Sequence, residues 1–475
     1  MKSESRLLGG TTWITLAEAL MLPTGFLTLT FLTRQLGTDG YGLFALSATI
    51  VTWIEWGLNS VFSRTTIKFV SEAEDQAAIA TAVIRIQLGC GVIAAIGVVL
   101  IAPLIANLLH ETALTGLLRL FAVEIPLVNF AQAHQNILAG TGRFGARAIA
   151  TAVRWLTRLL FILGLVSLGL SITGAILGSL AAMLADILVC RCYIQPSLWQ
   201  PSRFPISALA GYALPLFMAA LSMRLYAKLD LIALKALGGT AEQAGVYAVA
   251  QNLALLGGVM SPALAPVLIA TAGQLASQGQ TEEVKALSRS AMRVVLLHLP
   301  FAALLVGAAR EIVPLLFGTP FVGAASLFSL LIFATVGTVM IAVTSAILVA
   351  SDRPQWTAAL SVPLPGVAIA GHWLLIPLLG EVGAAATTLI VSSLGAVAGI
   401  AAVYIKWQVL PPGMTLVRCC SVGTGGAIAA YYWATPGWWL FAKLPVLSIA
   451  MLFALWLLGE ASPEDKRLLH SILQK

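Results

Sequence analysis

Arg147, Thr151, Arg154 and Arg158 follow one another at spacings of four, three and four within a largely apolar stretch. Those spacings stack the four side chains on one face of a helix. A second basic series, Arg224, Lys228 and Lys235, runs at spacings of four and seven. Guanidinium groups bind phosphate oxygens in pairs, whereas an ammonium acts as a point charge. Arg154, Arg158 and Arg224 are therefore better phosphate anchors than Lys228, with Lys235 and Arg34 as further cationic stations. From Arg147 to Arg158 the rise is about 16 Å, which brings Arg158 near mid-membrane, too deep to snorkel unaided.

Acids accompany these bases. Thr11, Thr15, Glu18, Gly25 and Thr28 share one face of the first apolar run, and Thr52, Glu55 and Asn59 share one face of the second. A carboxylate in a half-hydrated membrane site binds Na⁺ or changes its protonation, so Glu18, Glu55 and Asp230 are the candidates for ion coupling, with Na⁺ and H⁺ both open. Pairing is the competing explanation. Five bases inside apolar runs (Arg85, Arg154, Arg158, Arg224 and Lys228) face five acids (Glu18, Glu55, Glu124, Asp186 and Asp230). On that view Arg158 meets Asp186 at similar depth, Glu18 and Glu55 each meet an arginine such as Arg85, and Lys228 and Lys235 snorkel. Asp230 stands roughly 200° from Lys228 on a continuous helix, and Glu124 lies close to Arg119 and the surface. His372 reads as a core histidine, and Gly174–Gly178 as a close helix contact.

The elements that carry these groups follow from composition. The chain has 475 residues, 59% hydrophobic and only 10% charged, with a mean hydropathy of +0.94. This is an all-α polytopic membrane protein by composition. Apolar runs place fourteen spans at 8–33, 43–62, 79–106, 116–138, 148–170, 172–194, 208–234, 245–271, 292–316, 322–349, 357–379, 383–405, 417–435 and 438–458. At about 20 residues per span, the connections average only about 13 residues. A folded catalytic domain needs at least about 50, so no external enzyme domain is expected, and no cofactor. Ser71–Ala80 and Gly273–Arg293 carry mixed charge at helical spacing and are expected to lie on the membrane face.

Seventeen Lys and Arg residues fall in loops on the side of the amino terminus and five, Arg34, Arg119, Lys235, Arg310 and Lys443, at the opposite ends. The positive-inside rule then puts both termini in the cytoplasm. The net charge of +7 belongs to these loops, and nucleic acid is not an expected partner. The first apolar run lacks a cleavage site and is not read as a signal peptide. Cys90, Cys190, Cys192, Cys419 and Cys420 are odd in number and show no metal spacing.

The chain repeats. Leu36-Gly37-Thr38-Asp39-Gly40-Tyr41-Gly42 returns as Leu237-Gly238-Gly239-Thr240, a short insertion, then Ala244-Gly245-Val246-Tyr247, with Arg34 matched to Lys235. Ile137–Arg143 lines up with Ile347–Arg353 at nearly the same offset. Two six-helix lobes, 1–196 and 205–405, follow, with 406–475 as two added helices and a tail. Six is even, so the lobes are related by an axis along the membrane normal, and a transport site is expected between them.

The Arg34-Gln35-Leu36-Gly37 end of the first span, the Gly40-Tyr41-Gly42 turn, Lys228-Leu229-Asp230 and Gly245-Val246-Tyr247-Ala248-Val249-Ala250 resemble the polysaccharide biosynthesis (O-antigen flippase) family over residues 5–405. That family sits in a superfamily with multidrug and toxin extrusion antiporters and lipid II flippases. The resemblance implies a bacterial inner-membrane flippase working by alternating access on an oligosaccharide carried by polyprenyl pyrophosphate, alongside glycosyltransferases and a polymerase. Cation-coupled drug antiport and lipid II flipping are the alternatives it leaves.

Overall fold

The computed structural model describes residues 13–72, 76–196, 228–258, 261–350, 354–435 and 437–460. The chain is an all-α polytopic membrane protein. Eight helical runs among the described residues are long and apolar enough to cross a membrane. Three of them, Trp13–Ser71, Phe144–Tyr193 and Gln355–Trp407, are 59, 50 and 53 residues long. A hydrocarbon core takes about 20 residues, so each holds two spans. They break at Gly37 (φ 69°), Gly169 (φ 88°) and Gly380 (φ 58°), where only glycine takes the left-handed backbone without strain. The described parts of every expected span except the seventh are largely helical; residues 8–12 of the first span, 259–260 of the eighth and most of the seventh lie outside the described residues.

The chain forms two compact units, Met1–Gly245 and Val246–Lys475. The first contains α1 (Met21–Glu72), α2 (Gln76–Leu108), α3 (Ala113–Phe121), α4 (Glu124–Gly140), α5 (Phe144–Leu165), α6 (Ser171–Tyr193), α7 (Leu229–Ala236) and the start of α8 (Ala241–Ala254). The second holds the rest of α8, α9 (Ser261–Ser277), α10 (Thr281–Leu296), α11 (His298–Gly307), α12 (Ala309–Phe317), α13 (Ala324–Ala350), α14 (Pro354–Ser361), α15 (Pro363–Trp407), α16 (Gly413–Tyr432) and α17 (Leu440–Leu457). The division falls inside α8. Gly37 and Gly238, matched in the repeat, both adopt a left-handed backbone, at φ 69° and 100°.

Small residues set the helix contacts in each unit. A Cβ on Gly178 would stand 2.7 Å from the backbone nitrogen of Ile162, and one on Gly174 3.0 Å from the Leu165 carbonyl carbon, so α5 and α6 approach backbone to backbone. In the second unit Gly337 meets Ser392, and Gly399 meets Thr344, where α13 crosses α15. Interiors are apolar, as in the cluster of Val70, Val83, Ile84 and Ile137. Large apolar side chains such as Ile93, Leu100, Leu104, Leu378 and Trp373 face outward, as lipid requires. Thr24, Thr28 and Thr33 bond carbonyls one turn back in α1, so their hydroxyls are satisfied within the helix.

Two expectations are corrected here. Ser71–Ala80 is not a surface helix: its described residues are the last turn of α1 and the first turn of α2. The stretch 273–293 is divided between α9 and α10, and α10 leads directly into the apolar α11. Mixed charge at helical spacing marks the solvent-facing ends of long spans as readily as a separate surface helix.

The added helices α16 and α17 are fixed at both ends of the second unit. At one end Lys443, fully buried, sets its Nζ 2.8 Å from Glu311 Oε1, and Thr435 donates to Glu311 Oε2. At the other end Glu460 accepts from Thr415 (2.6 Å), Arg293 (2.8 Å) and Arg418 (3.0 Å). Burial pushes the Glu460 carboxyl up, but hydrogen bonds from Thr415, Arg293 and Arg418 outweigh it and hold the group below its ordinary range.

Candidate translocation site

The helix α5 begins at Phe144 after Arg143 and carries Arg147, Thr151, Arg154 and Arg158 on one face, as their spacing requires. That face turns inward. Asp186 of α6, with no exposed surface, accepts two hydrogen bonds from Gln135 Nε2 of α4, at 2.8 and 3.0 Å, and one from Cys190 Sγ. Arg154 Nη1 lies 3.6 Å from Asp186 Oδ2.

Asp186 therefore pairs with Arg154, not with Arg158 as equal depth from the membrane face suggested. The turn at Val166–Leu170 supplies the reason. Counted from Leu168, Arg154 lies fourteen residues back and Asp186 eighteen on, whereas Arg158 lies only ten back. In an antiparallel pair, distance from the shared turn fixes which residues meet.

Arg158 makes no ion pair within 4 Å among the described residues; its guanidinium sits 5.9 Å from the centre of the Trp155 ring. Its charge acts on Glu55 of α1 and Glu124 of α4. Both acids are buried, at 8% and 7% exposure, and each keeps one carboxylate oxygen without a hydrogen-bond partner among the described residues, as does Arg158 Nε. Glu124 is thus an inward-facing group and not a surface residue beside Arg119. Glu124 is the first residue of α4, after a break at which Ala122 and Val123 keep helical backbone angles.

The local charges separate into two sets. Nearer the start of α5, Arg147 and Arg154 meet Glu18 and Asp186, two against two. Deeper, among the described residues, the charge of Arg158 acts on both Glu55 and Glu124, one base to two acids. The first unit can hold an anion beside its arginines only if an acid gives way, and its deeper set can accept a proton or a cation.

The other expected residues fall elsewhere. Lys235, 4% exposed, ends α7 and pairs with Glu111 Oε2 at 3.1 Å. Arg34 is exposed on α1. Arg224 lies outside the described residues. Lys228 precedes α7 with an extended φ of −137°, so the 200° helical separation from Asp230 does not apply, and the two groups act on one another directly. Asp230 is buried and accepts the Leu231 N–H at 2.9 Å. Glu18 is exposed on the first span. His372 is buried at 2% exposure. Sequence reasoning missed Glu111 and Gln135. Glu111 sits outside the apolar runs, and Gln135 carries no charge to draw attention to a buried network.

The profile of the family described as polysaccharide biosynthesis protein matches residues 7–271. No curated protein sequence matches the chain. Among solved structures, a lipid II flippase, MurJ, in an inward closed conformation superposes with a TM-score of 0.73 at 13% identity, over 93% of this chain and 98% of that one. An inward-facing multidrug resistance MATE family transporter of the MOP superfamily gives 0.65 at 16% identity, over 84% and 94%. A MOP superfamily transporter from Pyrococcus furiosus, described as having a binding pocket of reverse polarity, gives 0.59 at 16% identity, over 85% and 95%. At these identities the structures establish a shared fold, and the family profile covers more than half of the chain. The chain belongs to the polysaccharide biosynthesis protein family.

Proposed function

We propose that the protein is a flippase that moves an oligosaccharide linked to polyprenyl pyrophosphate from the cytoplasmic to the outer leaflet of a bacterial inner membrane, with both termini cytoplasmic. The observation that carries this reading is the inward-facing row Arg147, Arg154 and Arg158 on α5, in a chain of the polysaccharide biosynthesis family. Intramembrane arginines in hydrocarbon are costly and mark a polar path. The headgroup enters from the cytoplasm, exchanges with the acids that hold the arginines, and leaves on the far side as the two lobes alternate; the lipid tail stays in the bilayer. Arg224, Lys228, Lys235 and Arg34 complete the cationic series. Glu18, Glu55 and Asp230 are the coupling candidates, and the excess carboxylate at Glu55 and Glu124 favours H⁺ or Na⁺ as the driving ion. Glycosyltransferases and a polymerase would act before and after it.

The test is delivery of surface glycan in a strain lacking the gene. Arg154→Ala combined with Asp186→Asn, Arg158→Ala and Arg224→Ala should each reduce delivery while the protein remains at wild-type abundance. Normal delivery by all three would defeat the reading. The excess carboxylate also favours a second reading, cation-coupled antiport of organic cations, for which a buried acid is the natural counter-charge. Drug resistance conferred on a sensitive strain, with no effect on surface glycan, would select it.

A further inference from the structure

Three arginines gather around a single acid at one end of the second unit. Glu460, just past α17, takes Arg293 Nε on one carboxylate oxygen at 2.8 Å and Arg418 Nη1 on the other at 3.0 Å. Arg293 also donates to the Glu460 carbonyl. One turn earlier on α10, Arg289 reaches the Leu410 carbonyl through Nε at 3.4 Å. Among the described residues this junction therefore holds three bases against one acid. Glu282, also on α10, is spent on Lys285 at 2.7 Å. Beyond Glu460, Glu464 and Asp465 are followed directly by Lys466 and Arg467, which cancel them in charge.

Two of these arginines keep donors in reserve. Among the described residues Arg418 donates only through Nη1, to Glu460 and to the Gly459 carbonyl, and Arg289 only through Nε. Both terminal nitrogens of Arg289, and Nε and Nη2 of Arg418, are left to bind something else. A guanidinium edge with two parallel N–H groups matches two oxygens of one phosphate. Arg289 is exposed and the Arg418 side chain is 27% exposed, so a ligand can reach them. The rim of the junction is apolar: Leu410, Met414 and Val417 all present large exposed surfaces. Basic groups set between helix ends and bordered by such side chains fit an acidic lipid headgroup.

We propose that Arg289 and Arg418, with Arg293 behind them, form a binding site for the phosphate of an anionic phospholipid, seated where α10, α16 and the end of α17 join. A zwitterionic lipid brings its own ammonium to a junction already in positive excess. A free phosphate leaves the apolar rim uncovered. An anionic phospholipid answers both, its phosphate on the guanidinium edges and its chains against Leu410, Met414 and Val417. Bound there, it bridges α10 to α16 and reinforces the attachment of the added helices that Glu460 begins. The site is independent of the cargo, and its occupancy is measured without transport.

The test is native mass spectrometry of the full-length protein in neutral detergent, titrated with dioleoyl phosphatidylglycerol or dioleoyl phosphatidylcholine. Phosphatidylglycerol should bind at least about five-fold more tightly. Arg289→Gln gives up only a bond to a carbonyl, so it should keep the wild-type melting temperature while phosphatidylglycerol affinity falls about ten-fold, as for a lost charge-assisted contact. Glu460→Gln should act in the opposite sense and raise the affinity, because it removes the competing carboxylate while loosening the helix junction. A purely structural role for the arginines predicts no such rise. Lys285→Gln, away from the site, should leave the affinity unchanged. Equal binding of the two lipids by the wild type overturns the proposal, as does unchanged affinity in Arg289→Gln. An equal loss in Lys285→Gln reduces the effect to net charge and also overturns it. Displacement of phosphatidylglycerol by an equal concentration of inorganic phosphate shows a site for the free anion and overturns the lipid assignment.

Discussion

Arg154 faces Asp186 across the α5–α6 pair, its Nη1 3.6 Å from Oδ2, while Gln135 fills the remaining positions on the same carboxylate. An acid held by three groups from three helices cannot leave without stranding charge. Asp186→Ala should therefore destabilise the protein by about 3–5 kcal/mol, the cost of breaking a buried pair from one side. Thermal unfolding in detergent checks this. Arg154→Ala with Asp186→Asn should recover part of the loss, because the second change removes the charge that the first leaves unpaired.

Backbone contact between α5 and α6 makes a contrast between two glycines informative. Gly178→Ala drives a methyl onto Ile162, with its backbone nitrogen 2.7 Å away, and should cost about 1–3 kcal/mol as an overpacked contact. Gly164→Ala meets no atom within 4 Å and should be neutral or stabilising by up to about 1 kcal/mol. Equal melting shifts for the two would remove the close-packing account.

Much of this was legible in the sequence, because spacing alone decides which residues of one helix share a face. The α5 row and the apolar spans depend on local periodicity, and the matched turns at Gly37 and Gly238 on the internal repeat. Partners across helices were less legible. Arg154, not Arg158, meets Asp186 because depth had to be counted from the turn. Glu124 is buried, although its place near Arg119 suggested the surface. Glu111 emerged only once Lys235 was placed, since a loop acid carries no periodic signal.

Glu460 sets a pH dependence outside the membrane. Its carboxyl is held below the ordinary value by Thr415, Arg293 and Arg418, so its contribution to stability is full above the ordinary carboxylate range and is lost as pH falls through the lowered value. Melting temperature in detergent should drop on acidification, and Glu460→Gln should be less stable at neutral pH but show a shallower drop. Parallel profiles for the two proteins would exclude Glu460 as the cause.

Coupling should reside in the deeper charge set. With Glu55 and Glu124 both buried beside Arg158, neutralising either removes the excess charge. Glu55→Gln and Glu124→Gln should each abolish the dependence of transport on an imposed H⁺ or Na⁺ gradient in proteoliposomes while leaving the fold intact. A retained gradient response in both variants would place coupling elsewhere.

The cationic path is tested most directly by transbilayer movement of a fluorescent polyprenyl-diphosphate oligosaccharide in proteoliposomes containing wild type, Arg158→Lys or Arg158→Ala. Removal of a charge-assisted contact of about 1.5–3 kcal/mol predicts a rate at least about ten-fold lower for the alanine variant, with lysine between the two. Equal rates for all three well-folded proteins would contradict the assignment of the α5 arginine row to the diphosphate.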